Sequence, residues 1–411
     1  MYKFGIARAP AYMIVQKTLV TYPPSFSLTK EKDPREMHLL RSDMAKISTV
    51  APAVLGYRMP AEWEPHEATW ISWPHPECIS FATCYREVLP TFVRMVEVLS
   101  ASELVRINVS GLEQEKQVRS LLNSTVPPER VEFFHIPTNE PWCRDHGPIF
   151  IQRDGFPRLA VVDFGYNAWG GKYLPYDADN AVPTHVSREL NLPIFGCLDF
   201  VLEGGSIDVN GAGILLTTES CLLDFRRNPE RTRSQIEGVL QSFLDVNKVL
   251  WLGEGIAGDD TDGHVDNIAR FVSEDTILTV IEENERDPNF QPLQENLRRI
   301  QNTKLSNGCC LNIVTLPMPE PLLISGQRLP VSYANFFIGN EIILLPTFAD
   351  LHDSQALFIL QEMFPSRKVV PINCCKLIWG LGTFHCLTQQ QPTSGKPSLD
   401  EGAEARVSLA E

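Results

Sequence analysis

Apolar residues recur at helical spacing over Tyr85–Ser102, Glu113–Leu122 and Arg233–Leu244, which predicts three amphipathic helices. The second should stop near Asn123, because Pro127 and Pro128 follow it. Short apolar or alternating runs predict strands at Ala68–Ser72, Leu104–Val109, Val131–His135, Leu159–Asp163, Gly213–Thr217, Thr276–Val280, Glu341–Pro346 and Lys368–Ile372. Asn210-Gly211 lies between Ser206–Val209 and Ile214–Thr217 and predicts a tight hairpin.

A weak repeat runs through these elements. Trp142–Ile151, Leu202–Thr217, Gly263–Val280 and Tyr333–Pro346 each begin with a polar, often glycine-bearing motif. A strand, a turn, a second strand and a helix follow. Such a repeat predicts similar α/β units around a common centre. If each motif sits at the inner end of its first strand, the motifs converge. No linker divides residues 56–392, so one domain is expected there. Residues 1–55 read as a poorly ordered extension, with a transit-like leader or a start at Met44 as alternatives. Residues 393–411 carry few large apolar side chains and read as a disordered tail.

Composition narrows the class. The chain has 411 residues, of which 43% are hydrophobic and 21% charged, as in a globular protein. A net charge of −15 argues against nucleic acid and anionic membranes as partners and would suit a cationic substrate. No apolar run approaches the ~20 residues of a membrane span. The ten cysteines form no CxxC pair, and two sets are adjacent doublets, which suits a reduced, cytoplasmic setting.

Candidate chemistry begins with Trp379–Pro392, where Cys386 follows His385 and two glycines and precedes Thr388 and three glutamines. The glycines allow a tight bend and close approach to a ligand. The polar run offers hydrogen-bond groups foreign to an apolar core strand. A thiol there is a nucleophile if its thiolate is stabilised. The other motifs are Glu62–His66 with Trp70 and Trp73, Trp142–Pro148, Tyr166–Gly171, Glu203–Gly205 and Asp259–Asn267. Singly, each has an ordinary explanation. Asp145 could pair with Arg144, Glu203 could sit in a turn, and Trp169 could pack one. His264 could be structural. The acidic run resembles a calcium loop but lacks the spacing of an EF-hand.

Together they supply a thiol, a histidine and several carboxylates, without a Cys/His metal set. A cysteine protease gains nothing from extra buried carboxylates. A guanidinium does, because paired carboxylates grip its N–H groups with short, charge-assisted bonds. Buried without that cation, the same carboxylates are costly.

These motifs resemble the agmatine deiminase family, within the peptidyl-arginine deiminase-like, guanidino-group-modifying enzymes. The likeness covers about residues 56–392. It rests on Tyr57–Trp63, Trp142–Pro148, Asn167–Gly171, Glu203–Gly205, Gly263–Asn267, Ser332–Phe336 and His385–Pro392, in that order. The resemblance implies a five-bladed α/β propeller, or pentein, of ββαβ modules with pseudo-fivefold symmetry and a central site. It implies no metal or organic cofactor. It makes Cys386 the nucleophile and His264 the general acid/base. Asp145 and Asp266 become the guanidinium-gripping carboxylates, with Glu203 the third acid. Trp142, Trp169, Asp260 and Asn335 become substrate-binding residues.

The implied reaction is hydrolysis of agmatine to N-carbamoylputrescine and ammonia through an S-alkylthiouronium, a step toward putrescine. Homo-oligomerisation is implied as well. Two features depart from the family pattern. Leu381 and Phe384 stand where many members carry glycine and isoleucine, and both are expected to reshape the pocket wall. Residues 1–55 have no family counterpart. The alternatives are deimination of free or peptidyl arginine, amidino transfer, or a non-catalytic guanidino binder on the same fold. Free arginine would need an Arg or Lys clamp for its carboxylate, and no such motif accompanies the others.

Overall fold

The computed structural model describes residues 50–305 and 308–394. The expected N-terminal extension lies outside the described residues up to position 49, and the expected tail lies outside them from position 395. Between these limits five modules follow one plan, in which a first strand pairs antiparallel with a second. A helix then crosses over, and a third strand pairs parallel with the second.

In one module Ile149–Gln152, Leu159–Gly165 and Ile194–Val201 enclose the helix Val182–Glu189. The next uses Asp208–Val209, Ile214–Thr218 and Lys248–Leu252 with helix Arg233–Leu244. A further module uses Ala269–Ser273, Thr276–Ile281 and Asn312–Pro317 with helix Phe290–Gln301. Phe337–Ile338, Ile342–Thr347 and Lys368–Asn373 with helix Asp353–Met363 repeat the plan. The remaining module joins the two ends of the described chain. Its first strand is Thr388–Pro392, antiparallel to His66–Ser72. Helix Tyr85–Ser100 then leads to Leu104–Asn108. This sheet gains a fourth strand, Val131–Phe134.

Local chemistry sets these elements. Helix Arg233–Leu244 opens on a capping box of Thr232 and Gln235, which satisfies two otherwise orphaned N–H groups. It buries Ile236, Leu240 and Leu244 against its sheet. Each such side chain contributes about 1.5–3 kcal/mol. The hairpin expected at Asn210-Gly211 forms, with Gly211 at φ 68°.

The polar run after Cys386 departs from expectation. Thr388–Pro392 is a fully buried strand. Its glutamines are tolerated because buried donors meet them. Trp70 Nε1 donates to Gln391 Oε1 at 2.8 Å, and Arg144 Nη1 donates to Gln390 Oε1 at 2.7 Å. No helix among the described residues is long and apolar enough to cross a membrane.

One consequence of the plan positions the site. A short turn precedes every first strand: Cys143–His146, Gly204–Ser206, Val265–Asn267, residues 332–336 and Phe384–Leu387. The sequence motifs fall on or beside these turns.

Candidate active site

Three of these turns, those carrying Asp145, Gly204–Ser206 and Asp266, meet through glycine. A β-carbon on Gly204 would stand 2.2 Å from the Arg144 carbonyl oxygen. One on Gly205 would stand 2.7 Å from Asp145 Oδ1, 2.7 Å from His264 Nδ1 and 3.0 Å from Asp266 Oδ2. Three of the expected residues therefore meet at one backbone position.

The thiol of Cys386 lies beside this point. Asn335 Nδ2 donates to Sγ at 3.1 Å, and Sγ lies 3.5 Å from Asp266 Oδ2. The imidazole of His264 is fully buried, with Nδ1 3.6 Å from Asp145 Oδ1 and Nε2 4.0 Å from Glu203 Oε2. Among the described residues neither ring nitrogen makes a hydrogen bond, and neither does Asp266 Oδ1. Unpartnered buried polar atoms are costly, and a catalytic role is one reason a fold keeps them. Trp169 Nε1 and the Gly205 N–H hold Asp145, at 2.9 and 3.0 Å.

A cavity of about 580 Å³, counted to its open mouth, leads to Cys386. Trp142, Asp145, Trp169 and Asp260 line it, and among the described residues no lysine or arginine does. His264, Asp266, Glu203 and Asn335 are not among its lining residues and are fully or almost fully buried. Asn335 therefore touches the sulfur rather than the cavity. The glycines before Cys386 seat an indole. A β-carbon on Gly380 or Gly382 would meet the Trp142 ring at 2.9 or 2.6 Å. Leu381 lines the cavity as expected, but Phe384 is fully buried in the core and does not.

The electrostatics follow from burial and neighbours. Burial pushes Asp145 up to about 6, against the opposing pull of His264. Burial also works against an ionised Asp266 and a charged His264, and in each case neighbours prevail. His385 and His264 hold Asp266 below the usual carboxylate range. Asp145, Cys221 and Glu203 hold His264 well above an ordinary histidine. Burial, then the charges of Asp266 and Asp145, push the Cys386 thiol well up. Both shifts favour the protonated form, of the thiol and of the imidazole.

Several participants were not apparent in the sequence. Arg227 is fully buried and donates from Nε to both Glu203 oxygens, at 2.8 and 3.0 Å. Cys221, Glu203 and His264 each bring one possible ligand atom within 4.8 Å of one another, with Cys221 on the short helix Glu219–Leu222. Glu203 in that set is already engaged by Arg227. The acidic run is not an open calcium loop. Asp259 accepts from Thr261 N at 2.8 Å and from its hydroxyl at 2.6 Å. Asp262 lies 2.8 Å from each of Lys172, Arg226 and Arg227. The Tyr173 hydroxyl donates to Asp260, which burial pushes up despite that bond.

Five ββαβ modules with a thiol, an imidazole and carboxylates gathered on their connecting turns define a pentein α/β propeller. The chain belongs to the Porphyromonas-type peptidyl-arginine deiminase family, which it matches over residues 58–392. An agmatine deiminase of Pseudomonas aeruginosa is 35% identical over 371 residues, covering 85% of this chain and 99% of that protein. The solved agmatine deiminase of Enterococcus faecalis superposes with a TM-score of 0.77 at 32% identity, over 84% of this chain and 98% of that one. The agmatine deiminase structure from C. jejuni gives 0.70 at 29% identity, over 82% and 96%.

Proposed function

We propose that this chain hydrolyses agmatine to N-carbamoylputrescine and ammonia. The observation that carries the reading is the approach of Cys386 Sγ to Asp266 beside His264 and Asp145, next to a cavity free of lining cations. The resting acids raise the thiol's proton affinity. A guanidinium bound to Asp145 and Asp266 offsets their charge and favours the thiolate. The thiol's proton passes to solvent once the cation is bound, and the thiolate sulfur bonds to the guanidinium carbon. His264 delivers a proton to one nitrogen, the C–N bond breaks and ammonia departs. Water adds to the S-alkylthiouronium carbon and gives one proton to His264; the C–S bond then breaks with its electron pair going to sulfur, which takes the remaining hydroxyl proton as the ureido carbonyl forms. Glu203 faces the imidazole and favours its charged form. Trp142, Trp169 and Asp260 line the path of the aliphatic chain, and Asp260 suits a distal ammonium.

Agmatine is favoured over free arginine because no lysine or arginine lines the cavity to receive a carboxylate. The agmatine deiminase activity named for the two relatives supports the same substrate. A cytoplasmic setting belongs to this reading, supported by seven buried cysteines that form no disulfide among the described residues.

The test is release of ammonia and ureido product from agmatine and from free arginine, with mass spectrometry of the covalent adduct. Wild type should turn over agmatine and form the adduct, and Cys386→Ala should do neither. Equal turnover of arginine would overturn the substrate. Tight agmatine binding without ammonia release would make the protein a guanidino binder.

A further inference from the structure

Glu62 belongs to the Tyr57–Trp63 motif yet takes no part in the chemistry above. Its carboxylate is almost fully buried and makes four contacts. Oε1 accepts from the Ile338 N–H at 2.8 Å and lies 2.9 Å from Arg270 Nη2. Oε2 accepts from Arg144 Nη2 at 3.1 Å and lies 2.9 Å from His385 Nε2. On the far side of that ring, His385 Nδ1 lies 2.8 Å from Asp266 Oδ2. The imidazole thus stands between two carboxylates. The charged groups packed around this line are Arg144, Arg270 and Asp208, the last 3.5 Å from Arg270 Nε.

We propose that Glu62 is a positioning residue that acts through His385 on Asp266. The backbone of strand Phe337–Ile338 fixes Glu62, Glu62 fixes the ring, and the ring fixes one oxygen of Asp266. The other oxygen, Oδ1, stays unpartnered. His385 also immediately precedes Cys386, so the same contact steadies the turn that carries the thiol. This inference rests on the proposed role of Asp266 as a guanidinium carboxylate. A carboxylate free to rotate still attracts a cation. It no longer holds the guanidinium carbon in line with sulfur, and small misplacements are costly in rate.

The experiment compares agmatine turnover by wild type, Glu62→Gln, His385→Gln and the double variant, with thermal unfolding of each. Each single variant should lower kcat by about 10- to 100-fold, as loss of an orienting partner does, with KM within about threefold. The double variant should fall no more than about threefold below the worse single one, because both act along one path. Multiplied losses would overturn the proposal, as would a wild-type kcat in either single variant or an effect confined to KM or to melting temperature. If Glu62→Gln does not fold, His385→Gln decides alone, and a kcat within threefold of wild type overturns the proposal. A wild-type protein that releases no ammonia from agmatine would instead overturn the reading of the site.

Discussion

The backbone N–H of Gly205 donates to Asp145 Oδ1 at 3.0 Å, and a β-carbon at Gly205 would stand 2.7 Å from the same oxygen. The approach is possible because position 205 carries only hydrogen. Asp145 and His264 would both have to move for alanine, and the turns that hold them are buried. Gly205→Ala should therefore lower kcat/KM for agmatine by at least about 100-fold, since displacements near 1 Å cost this much. Overpacking should cost about 1–3 kcal/mol of stability. Steady-state kinetics beside urea unfolding measures both, and an active Gly205→Ala would show that the carboxylate and imidazole need not stay where they are.

Asp145 makes the activity and the stability of the protein depend on pH in opposite senses. Its carboxyl is raised from 3.8 to about 6 by burial, so between those values the folded chain holds a proton that the unfolded chain has lost. Stability from this group is therefore greatest below 3.8 and declines as pH rises to about 6. Gripping a cation needs the ionised form, so kcat/KM should rise through the same region. Asp145→Asn should lose most activity at neutral pH. Its stability relative to wild type should improve between pH 5 and pH 7. Urea unfolding at the two pH values reads this difference, and a constant difference would remove Asp145 as its source.

What the sequence revealed depended on range. Periodicity located helix Arg233–Leu244 and the central strands, because those patterns repeat within a few residues. Strand Thr388–Pro392 escaped because its burial depends on donors from Trp70, Arg106 and Arg144, hundreds of positions away. Motif order brought out Cys386, His264, Asp145, Asp266 and Glu203, which the structure brings close together. It was silent on Arg227 and on Glu62 as partners, since a buried ion pair leaves no local spacing to read. Phe384 looked like a pocket residue beside Cys386, but its ring turns into the core.

Leu381 occupies the left-handed region, at φ 71° and ψ 14°, on the wall of the cavity. That conformation costs an L-residue roughly 1–2 kcal/mol and costs glycine almost nothing. Leu381→Gly should relieve part of this strain and raise stability by up to about 1 kcal/mol. It also removes an apolar side chain from the wall, so KM for agmatine should rise severalfold with kcat nearly unchanged. Bulkier guanidino compounds should gain relative to agmatine. A competition assay beside a denaturation curve tests both, and an unchanged KM would take Leu381 out of substrate contact.

Glu203 and Arg227 are both fully buried, and the guanidinium also reaches Asp262 at 2.8 Å and the Thr261 carbonyl at 2.8 Å. The pair ties the turn at Gly204–Ser206 to the acidic run before His264. Removing one partner leaves the other charge buried, which is worse than removing both. Arg227→Met should therefore destabilise the protein by about 3–5 kcal/mol. Glu203→Gln combined with Arg227→Met should recover a substantial part of that loss, because the uncompensated carboxylate is gone. Activity should not return with stability, since the imidazole of His264 has lost the acid that faces Nε2 at 4.0 Å. Unfolding free energies of the single and double variants, read beside ammonia release, separate the two effects. Recovery of both together would mean that Glu203 serves the fold and not the reaction.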